Sequence, residues 1–179
     1  MIFKNKGYEK IILLCLFLVF LIFQLSNFSK LAFFEYDTPE EVVVQSNFKA
    51  EKARLSLIGE ETACVVCIDG NSSEIFIVEK TDNGWKNASN IKTKKFFHTV
   101  KDNFIISVHT YKNTQDFYMI ICSIDKAKMY LFDNKGSEFK EYKISDDNYV
   151  YYTYIKNLDE TYQLFADDKE IDIAEFLKK

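Results

Sequence analysis

The stretch Thr62-Ala-Cys-Val-Val-Cys-Ile-Asp-Gly-Asn-Ser-Ser-Glu-Ile-Phe-Ile-Val-Glu-Lys80 decides the class of fold. Its two halves, residues 62–68 and 73–80, are rich in the β-branched and aromatic side chains that favour strands. Between them lies Asp69-Gly70, a dipeptide that favours the tight turn of a β-hairpin. The stretch therefore predicts two antiparallel strands joined by a short turn.

The same period-two pattern, broken by turn residues, continues through the rest of the chain. Short turns join successive strands antiparallel, and no long helix alternates with the strands, so no parallel sheet is expected. The pattern predicts further strands at 55–59, 94–100, 103–111, 117–124, 128–132, 138–144, 149–156 and 162–165, a short piece from Trp85, and either a strand with a helical turn or a short helix at 171–177.

A helix should precede these strands, because Thr38-Pro39-Glu40-Glu41 is a strong helix start. Thr38 suits the N-cap, Pro39 suits the first helical position, and Glu41 closes a capping box. We expect this helix to run to about Arg54 and to lie over one face of the sheet.

The run Ile11–Leu25 contains no charged residue, no glycine and no proline. Extended to residue 28, a helix here would measure about 27 Å, close to the roughly 30 Å of a bilayer's hydrocarbon core. A cleaved secretory signal also has a basic start and an apolar run, but no Ala-x-Ala pattern follows this one. A retained anchor is therefore favoured over a cleaved signal.

Flanking charge sets the expected orientation of this anchor. Lys4, Lys6 and Lys10 precede the run, whereas acidic residues dominate the segment after it, which favours a cytoplasmic N-terminus. The expected location is the cell membrane, with a single pass. The predicted organisation is a cytoplasmic tail at 1–10, a transmembrane anchor at 11–28, a linker at 29–37 and an extracytoplasmic domain at 38–179.

Together these patterns predict an α+β fold. It consists of one N-terminal transmembrane helix and then a capped helix packed on a curved antiparallel meander of roughly eight strands.

Composition narrows the possible partners. The formal net charge is −4, and the first 30 residues hold four lysines against one glutamate, so the remainder is more acidic still. An acidic domain repels nucleic acid and anionic headgroups. With five glycines in all, and neither a P-loop nor a Gly-x-Gly-x-x-Gly motif, the sequence predicts no nucleic-acid partner and no cofactor.

The dipeptide-spaced cysteines Cys64 and Cys67 resemble a redox or zinc motif. In a strand, however, residues three apart point to opposite faces, so the two cannot share a metal ion or a disulfide. We expect buried thiols, with a bridge from Cys122 to one of the others as the alternative.

Two histidines and several acidic pairs are the remaining chemical candidates. If Asp102-Asn103 is a two-residue turn, His98 faces Ser107, and His98 and His109 share one sheet face. A zinc site needs a third ligand that the sequence does not offer, so no metal is predicted. The acidic pairs are expected to be solvated turns, and they are Glu60-Glu61, Asp146-Asp147, Asp159-Glu160 and Asp167-Asp168.

The tyrosines at 149–154 are the most unusual candidates for a surface. Alternation places Tyr149 and Tyr151 on one strand face and Tyr152 and Tyr154 on the other. One pair is expected in the core. For the other pair, with Tyr142 or Tyr162 beside it, structural packing with the hydroxyls at the rim is favoured, and the alternative is an aromatic strip that binds a partner protein or a glycan.

Three short motifs carry a resemblance to known proteins. They are Thr38–Glu41, the strand residues Ile75–Lys80, and Asn83-Gly84-Trp85, which closes a Lys-x-x-x-Gly-Trp pattern. In these the chain resembles small membrane-anchored or secreted bacterial domains that open with a Thr-Pro-Glu-Glu helix. Such domains have no assigned function, so the resemblance implies no catalytic residue.

The functional expectation is a non-enzymatic binding or accessory module of the cell envelope. Residues 11–28 would contact the membrane, and the domain would bind an envelope protein or polymer. The alternatives are a membrane-anchored envelope hydrolase that uses turn carboxylates, and an immunity-type protein.

Overall fold

A computed structural model describes residues 6–46, 54–69, 72–87, 94–112, 114–124, 128–145 and 148–178. The chain divides into two compact units, Met1–Phe34 and Glu35–Lys179.

The first unit is a single helix, α1 (Lys6–Phe33). Within the described residues, no helix is long and apolar enough to cross a membrane. The transmembrane helix of the predicted fold is therefore wrong. The uncharged run Ile11–Leu25 rises only about 22 Å as a helix, and the prediction approached the bilayer thickness only by including the polar residues that follow.

The second unit contains two helices and twelve strands in the part of the chain that the structure describes. In chain order they are α2 (Pro39–Ser46), β1 (Arg54–Ile58), β2 (Thr62–Asp69), β3 (Ser72–Thr81), β4 (Gly84–Asn87), β5 (Lys94–Lys101), β6 (Phe104–Thr110), β7 (Asp116–Ser123), β8 (Leu131–Asp133), β9 (Lys140–Ser145), β10 (Asn148–Lys156), β11 (Leu164–Ala166), β12 (Lys169–Ile171) and α3 (Ala174–Leu177).

The strands form three antiparallel sheets rather than one. The first sheet has the order β1-β2-β3-β4, the second β5-β6-β7-β10-β9, and the third β12-β11-β8. The prediction of one helix on a single meander of roughly eight strands is therefore wrong. In the second sheet β10 pairs with β7, although β8 and β9 lie between them in the chain. The strand β8 belongs to the third sheet, where it pairs with β11.

Both hairpins predicted from turn residues are confirmed. In the first, β2 pairs antiparallel with β3 up to Asp69 opposite Ser72. In the second, Lys101 lies opposite Phe104, and the two turn residues between them have positive φ, 47° at Asp102 and 66° at Asn103. Two successive positive φ angles define the type I′ turn that matches the twist of a hairpin.

The second sheet is the middle layer of the domain. One of its faces packs on the first sheet, and the other packs on the third sheet and α3. The core against the first sheet contains Leu57, Cys64, Val66, Ile68, Ile77, Tyr111, Tyr118, Ile120, Val150 and Tyr152. The core against the third sheet includes Phe104, Ile106, Val108, Phe117, Met119, Ile121, Tyr151, Ile155, Leu164, Ile171 and Leu177.

The capped helix is present but shorter than predicted. The Glu41 backbone N–H donates to Thr38 Oγ1 at 3.3 Å, as the capping box requires. Val42 and Val43 are buried in a cluster on the outer face of the first sheet. The helix is described as far as Ser46, residues 47–53 lie outside the described residues, and Arg54, the predicted end, already belongs to β1.

Gly84, on β4, allows a close approach between the first sheet and the segment that precedes α2. Its φ is +152°, and a Cβ atom there would lie 2.3 Å from the backbone oxygen of Tyr36. Tyr36 and Trp85 exchange two backbone hydrogen bonds of 2.8 Å across this close approach. Glycine is needed at this position because any side chain would collide with the backbone.

Candidate functional site

The four tyrosines of the predicted strip lie on β10, on alternate faces as expected. Tyr151 and Tyr152 are buried, one in each of the two cores, whereas Tyr149 and Tyr154 are half-buried. Each face of β10 therefore has one buried and one half-buried tyrosine. The structure does not bring two of the four together on one exposed face.

Two of these tyrosines have structural hydrogen bonds. Tyr151 Oη accepts the backbone N–H of Met129 at 2.8 Å, and Tyr154 Oη donates to Asp116 Oδ1 at 2.9 Å. Burial raises the pKa of Tyr152 well above the ordinary phenol value. These phenols therefore stay neutral and act mainly in packing.

Asp116, at the start of β7, accepts five hydrogen bonds from described residues, and the sequence patterns above do not identify it. Its side chain is 1% exposed. Oδ2 accepts from the backbone N–H of Glu61 at 2.9 Å and from both N–H and Oγ1–H of Thr62 at 2.8 Å. Oδ1 accepts from the Glu60 N–H at 3.1 Å and from Tyr154. The carboxylate thus holds the β1–β2 turn against the second sheet.

The charge on Asp116 is stabilised by these donors. Burial alone would raise the pKa of this carboxyl, but the hydrogen bonds from Thr62, Glu61, Tyr154 and Glu60 outweigh it, and the pKa is lowered. A Cβ atom at Gly59 would lie 2.7 Å from Asp116 Cγ. In the sequence this contact could be suspected from an acidic residue, Asp116, at the start of an apolar strand, and from the turn Gly59-Glu60-Glu61-Thr62, which offers backbone N–H groups to it.

A cleft of about 560 Å³ lies beside this turn, and we call it the turn cleft. Tyr111 Oη donates to Glu79 Oε2 at 3.3 Å, and the Lys112 ammonium lies 4.9 Å from the centre of the Tyr111 ring. Its lining residues are Glu60, Glu61, Thr62, Glu79, Lys80, Thr81, Asp82, Tyr111, Lys112 and Thr114.

Two of the carboxylates that line the turn cleft are paired with lysines. Glu60 pairs with Lys156 at 2.6 Å, and Glu79 pairs with Lys86 at 3.6 Å.

Two of the other predicted acidic pairs, Asp159-Glu160 and Asp167-Asp168, are not in the lining of this cleft. Asp159 is exposed in a turn, where hydrogen bonds from the Thr161 side chain and backbone lower the pKa of its carboxyl. Asp167 is exposed at the turn after β11. Asp146-Asp147 lies outside the described residues.

A row of aromatic side chains lies on the outward face of the third sheet. Residues of β8 and β11 alternate, with their first and third side chains buried and the middle ones, Phe132 and Phe165, directed outward. These two are cross-strand partners whose rings stack at 4.8 Å and 7°. Tyr130 follows at 5.8 Å from Phe132 and is 71% exposed. We call these three residues the aromatic row.

Both backbone polar groups of Tyr130 form hydrogen bonds with Asp167. Its N–H donates to Asp167 Oδ1 at 3.0 Å, and its carbonyl accepts from the Asp167 N–H at 2.8 Å. A large aromatic side chain on a fixed backbone, exposed to solvent, is typical of a binding surface. Sequence analysis missed this row because three-residue strands are too short to display an alternating pattern.

A cavity of about 410 Å³ lies beside this row, and we call it the row cavity. Asp133, 8% exposed, uses Oδ1 to accept the N–H groups of Lys135 at 3.0 Å and Ser137 at 2.8 Å. Its Oδ2 is buried and accepts no hydrogen bond from the described residues. The lining residues are Met129, Tyr130, Leu131, Phe132, Asp133, Gly136, Ser137, Glu138, Phe139, Glu141 and Tyr151.

The predicted histidine and cysteine positions are largely as expected. His98 is exposed and its Nδ1 lies 2.6 Å from Ser107 Oγ, its predicted cross-strand partner. A bulge at Phe96 places Lys95 rather than Phe96 opposite His109. The described part of the chain holds no group of three or more possible metal ligands.

Cys64 and Cys67 lie on opposite faces of β2, as predicted. Cys64 is buried between the first and second sheets, and Cys67 is buried on the outer face of the first. Burial raises the pKa of the Cys64 thiol, with a smaller contribution from Cys67. Neither they nor Cys122 form a disulfide. These thiols are therefore packing groups rather than nucleophiles.

Comparisons with protein-family models, with curated proteins and with solved structures found no match for this chain. The resemblance carried by Thr38–Glu41 and Asn83-Gly84-Trp85 therefore rests on those motifs alone.

Proposed function

We propose that the protein is a non-enzymatic binding or accessory module of the cell envelope. In this proposal α1 holds the chain at the membrane, and the domain outside the membrane binds an envelope protein or polymer through the aromatic row. The observation that carries the proposal is the exposure of Tyr130, 71%, on a fixed backbone beside a cavity.

The membrane part of the proposal rests on the chemistry of α1. Every residue of Ile11–Leu25 is exposed, with exposed fractions from 39% at Leu21 to 71% at Leu13 for the large apolar side chains. Each Å² of apolar surface left in water costs about 25 cal/mol, which favours contact with lipid. The proposal needs α1 to contact lipid and does not need it to span the bilayer.

The binding role is favoured over the hydrolase alternative by the state of the carboxylates. Asp116 is occupied by five hydrogen bonds and its pKa is lowered, the opposite of what a general acid requires. Glu60 and Glu79 are paired with lysines. These three carboxylates therefore give the hydrolase alternative no specific support.

The test is site-specific photocrosslinking in intact cells. We expect a benzophenone amino acid at position 130 to yield a defined crosslinked envelope component, because Tyr130 is the most exposed aromatic side chain among the described residues of the domain. The matched control carries the same amino acid at position 100, where Val100 is 61% exposed on the second sheet.

The Phe165→Leu substitution in the position-130 protein should reduce the crosslink, because it removes the ring that stacks on Phe132. Crosslinking of equal yield and identity from positions 130 and 100, or no crosslink from position 130, would contradict the proposed binding surface.

A further inference from the structure

We propose that the row cavity binds the pyranose rings of an oligosaccharide that carries no negative charge. This inference rests on the proposed binding function and names the chemical class of its ligand. The cavity has an aromatic side and a carboxylate side, and the two match the two kinds of surface that a sugar ring presents.

The aromatic side is formed by Tyr130, Phe132 and Phe139. The C–H faces of a pyranose are apolar and pack against aromatic rings, as other apolar groups do. Phe132 and Phe165 cover each other's inner faces in their stack. The ring available to a ligand is therefore that of Tyr130, most of which is in contact with solvent.

The polar side is formed by Asp133, Glu138 and Glu141. Ionised carboxylates only accept hydrogen bonds, so this side matches a ligand rich in donors, and sugar hydroxyls are donors. Glu141 Oε1 also accepts a hydrogen bond from the Lys128 ammonium at 3.0 Å, and an ionised carboxylate has lone pairs for further donors.

The charge of the cavity excludes anions. Its described lining has three carboxylates and no lysine, arginine or histidine. Lys128, which is not in the lining, pairs with one of the three, Glu141, at 3.0 Å, so the lining with this lysine is still net negative. Phosphorylated polymers and acidic sugars would be repelled, whereas neutral sugars and amino sugars would not.

The cavity wall is preorganised by hydrogen bonds that tie the loop after β8 to the third sheet. Asn134 Nδ2 donates to the Thr161 carbonyl at 2.7 Å, and Asn134 Oδ1 accepts the Gln163 N–H at 3.0 Å. Asp133 Oδ1 fixes the following turn through Lys135 and Ser137. A wall held in this way loses little entropy when a ligand binds. The cavity volume also lies within the range of about 300–1,000 Å³ for small-ligand sites.

The test is calorimetric titration of the full-length protein in detergent micelles with four tetrasaccharides. They are β-1,4-linked N-acetylglucosamine, β-1,4-linked glucosamine, β-1,4-linked glucose and α-1,4-linked glucose. A phosphorylated α-1,4-glucan tetrasaccharide and a ten-residue proline-rich peptide serve as the anionic and polypeptide probes. We expect at least one of the four tetrasaccharides to bind, and neither the phosphorylated sugar nor the peptide to do so.

Substitutions locate the binding. Tyr130→Ala should weaken sugar binding about tenfold, which corresponds to about 1.4 kcal/mol, and Glu138→Gln should weaken it by a smaller factor of about three. Phe76→Leu, which changes a half-buried ring on the first sheet, is the matched control and should leave the affinity unchanged.

Binding of the peptide or the phosphorylated sugar alone, binding of none of the four tetrasaccharides, or sugar binding that Tyr130→Ala does not change would each overturn the inference. The failure of the binding function itself is distinguishable. If position 130 still crosslinks an envelope component in cells, only the ligand class is wrong, and if it does not, the proposed function fails as well.

Discussion

Replacement of Asp116 by alanine is expected to lower the free energy of unfolding of the domain by about 3–5 kcal/mol. The substitution removes the acceptor of three backbone N–H groups in the β1–β2 turn and of the Thr62 and Tyr154 hydroxyls. These donors lie where water reaches poorly, because Asp116 is 1% exposed and Thr62 is fully buried. Urea denaturation at pH 7, followed by far-ultraviolet circular dichroism, measures the change.

The matched control is Asp159→Ala. Asp159 also accepts hydrogen bonds from a backbone N–H and a hydroxyl, both of Thr161, but it is exposed. Water can replace the lost acceptor there, so the expected change is within about 0.5 kcal/mol. If Asp116→Ala cost no more than this control, the carboxylate would not be what holds the β1–β2 turn.

The lowered pKa of Asp116 also predicts how stability depends on pH. A carboxyl whose pKa is lower in the folded state than in the unfolded chain stabilises the fold above the unfolded value, about 3.9. This contribution is lost as the pH falls from the unfolded pKa through the folded pKa, because the unfolded chain takes up the proton first. The stability advantage of the native protein over the Asp116→Asn variant should therefore shrink below about pH 4. Urea denaturation of both proteins from pH 6 to pH 3 measures it, and a constant difference would contradict the prediction.

Local structure can be predicted from the sequence where characteristic turn residues lie between two long strands with a clear alternation of side chains. Asp102-Asn103 has the turn chemistry of a type I′ hairpin, and the flanking strands are long enough for their alternation to be visible. The strands β8, β11 and β12 have three residues each. A single change between an apolar and a polar side chain also occurs in turns and loops, so these strands cannot be recognised by their pattern. The division into three sheets depends on these strands, and sequence reasoning therefore missed it.

The candidate site was missed for a related reason. Alternation correctly divides Tyr149 and Tyr151 from Tyr152 and Tyr154, but it does not reveal how many layers cover a strand. Because the second sheet is the middle layer, both faces of β10 are core faces. The tyrosines of β10, which the sequence offers as a candidate surface strip, are therefore packing groups. The exposed aromatic row instead lies on strands too short to be recognised.

The burial of β10 leads to the second large effect, which concerns Tyr152→Ala. Tyr152 is 1% exposed in the core between the first and second sheets, where removal of an aromatic ring leaves a cavity that its neighbours fill only in part. We expect a loss of about 3–5 kcal/mol in the free energy of unfolding. The matched variant is Tyr149→Ala on the same strand, where the half-buried ring only borders the other core, and its cost should be about 1 kcal/mol. Equal urea midpoints for the two variants would mean that Tyr152 is not enclosed between two sheets, and the layered arrangement that makes β10 a core strand would then be wrong.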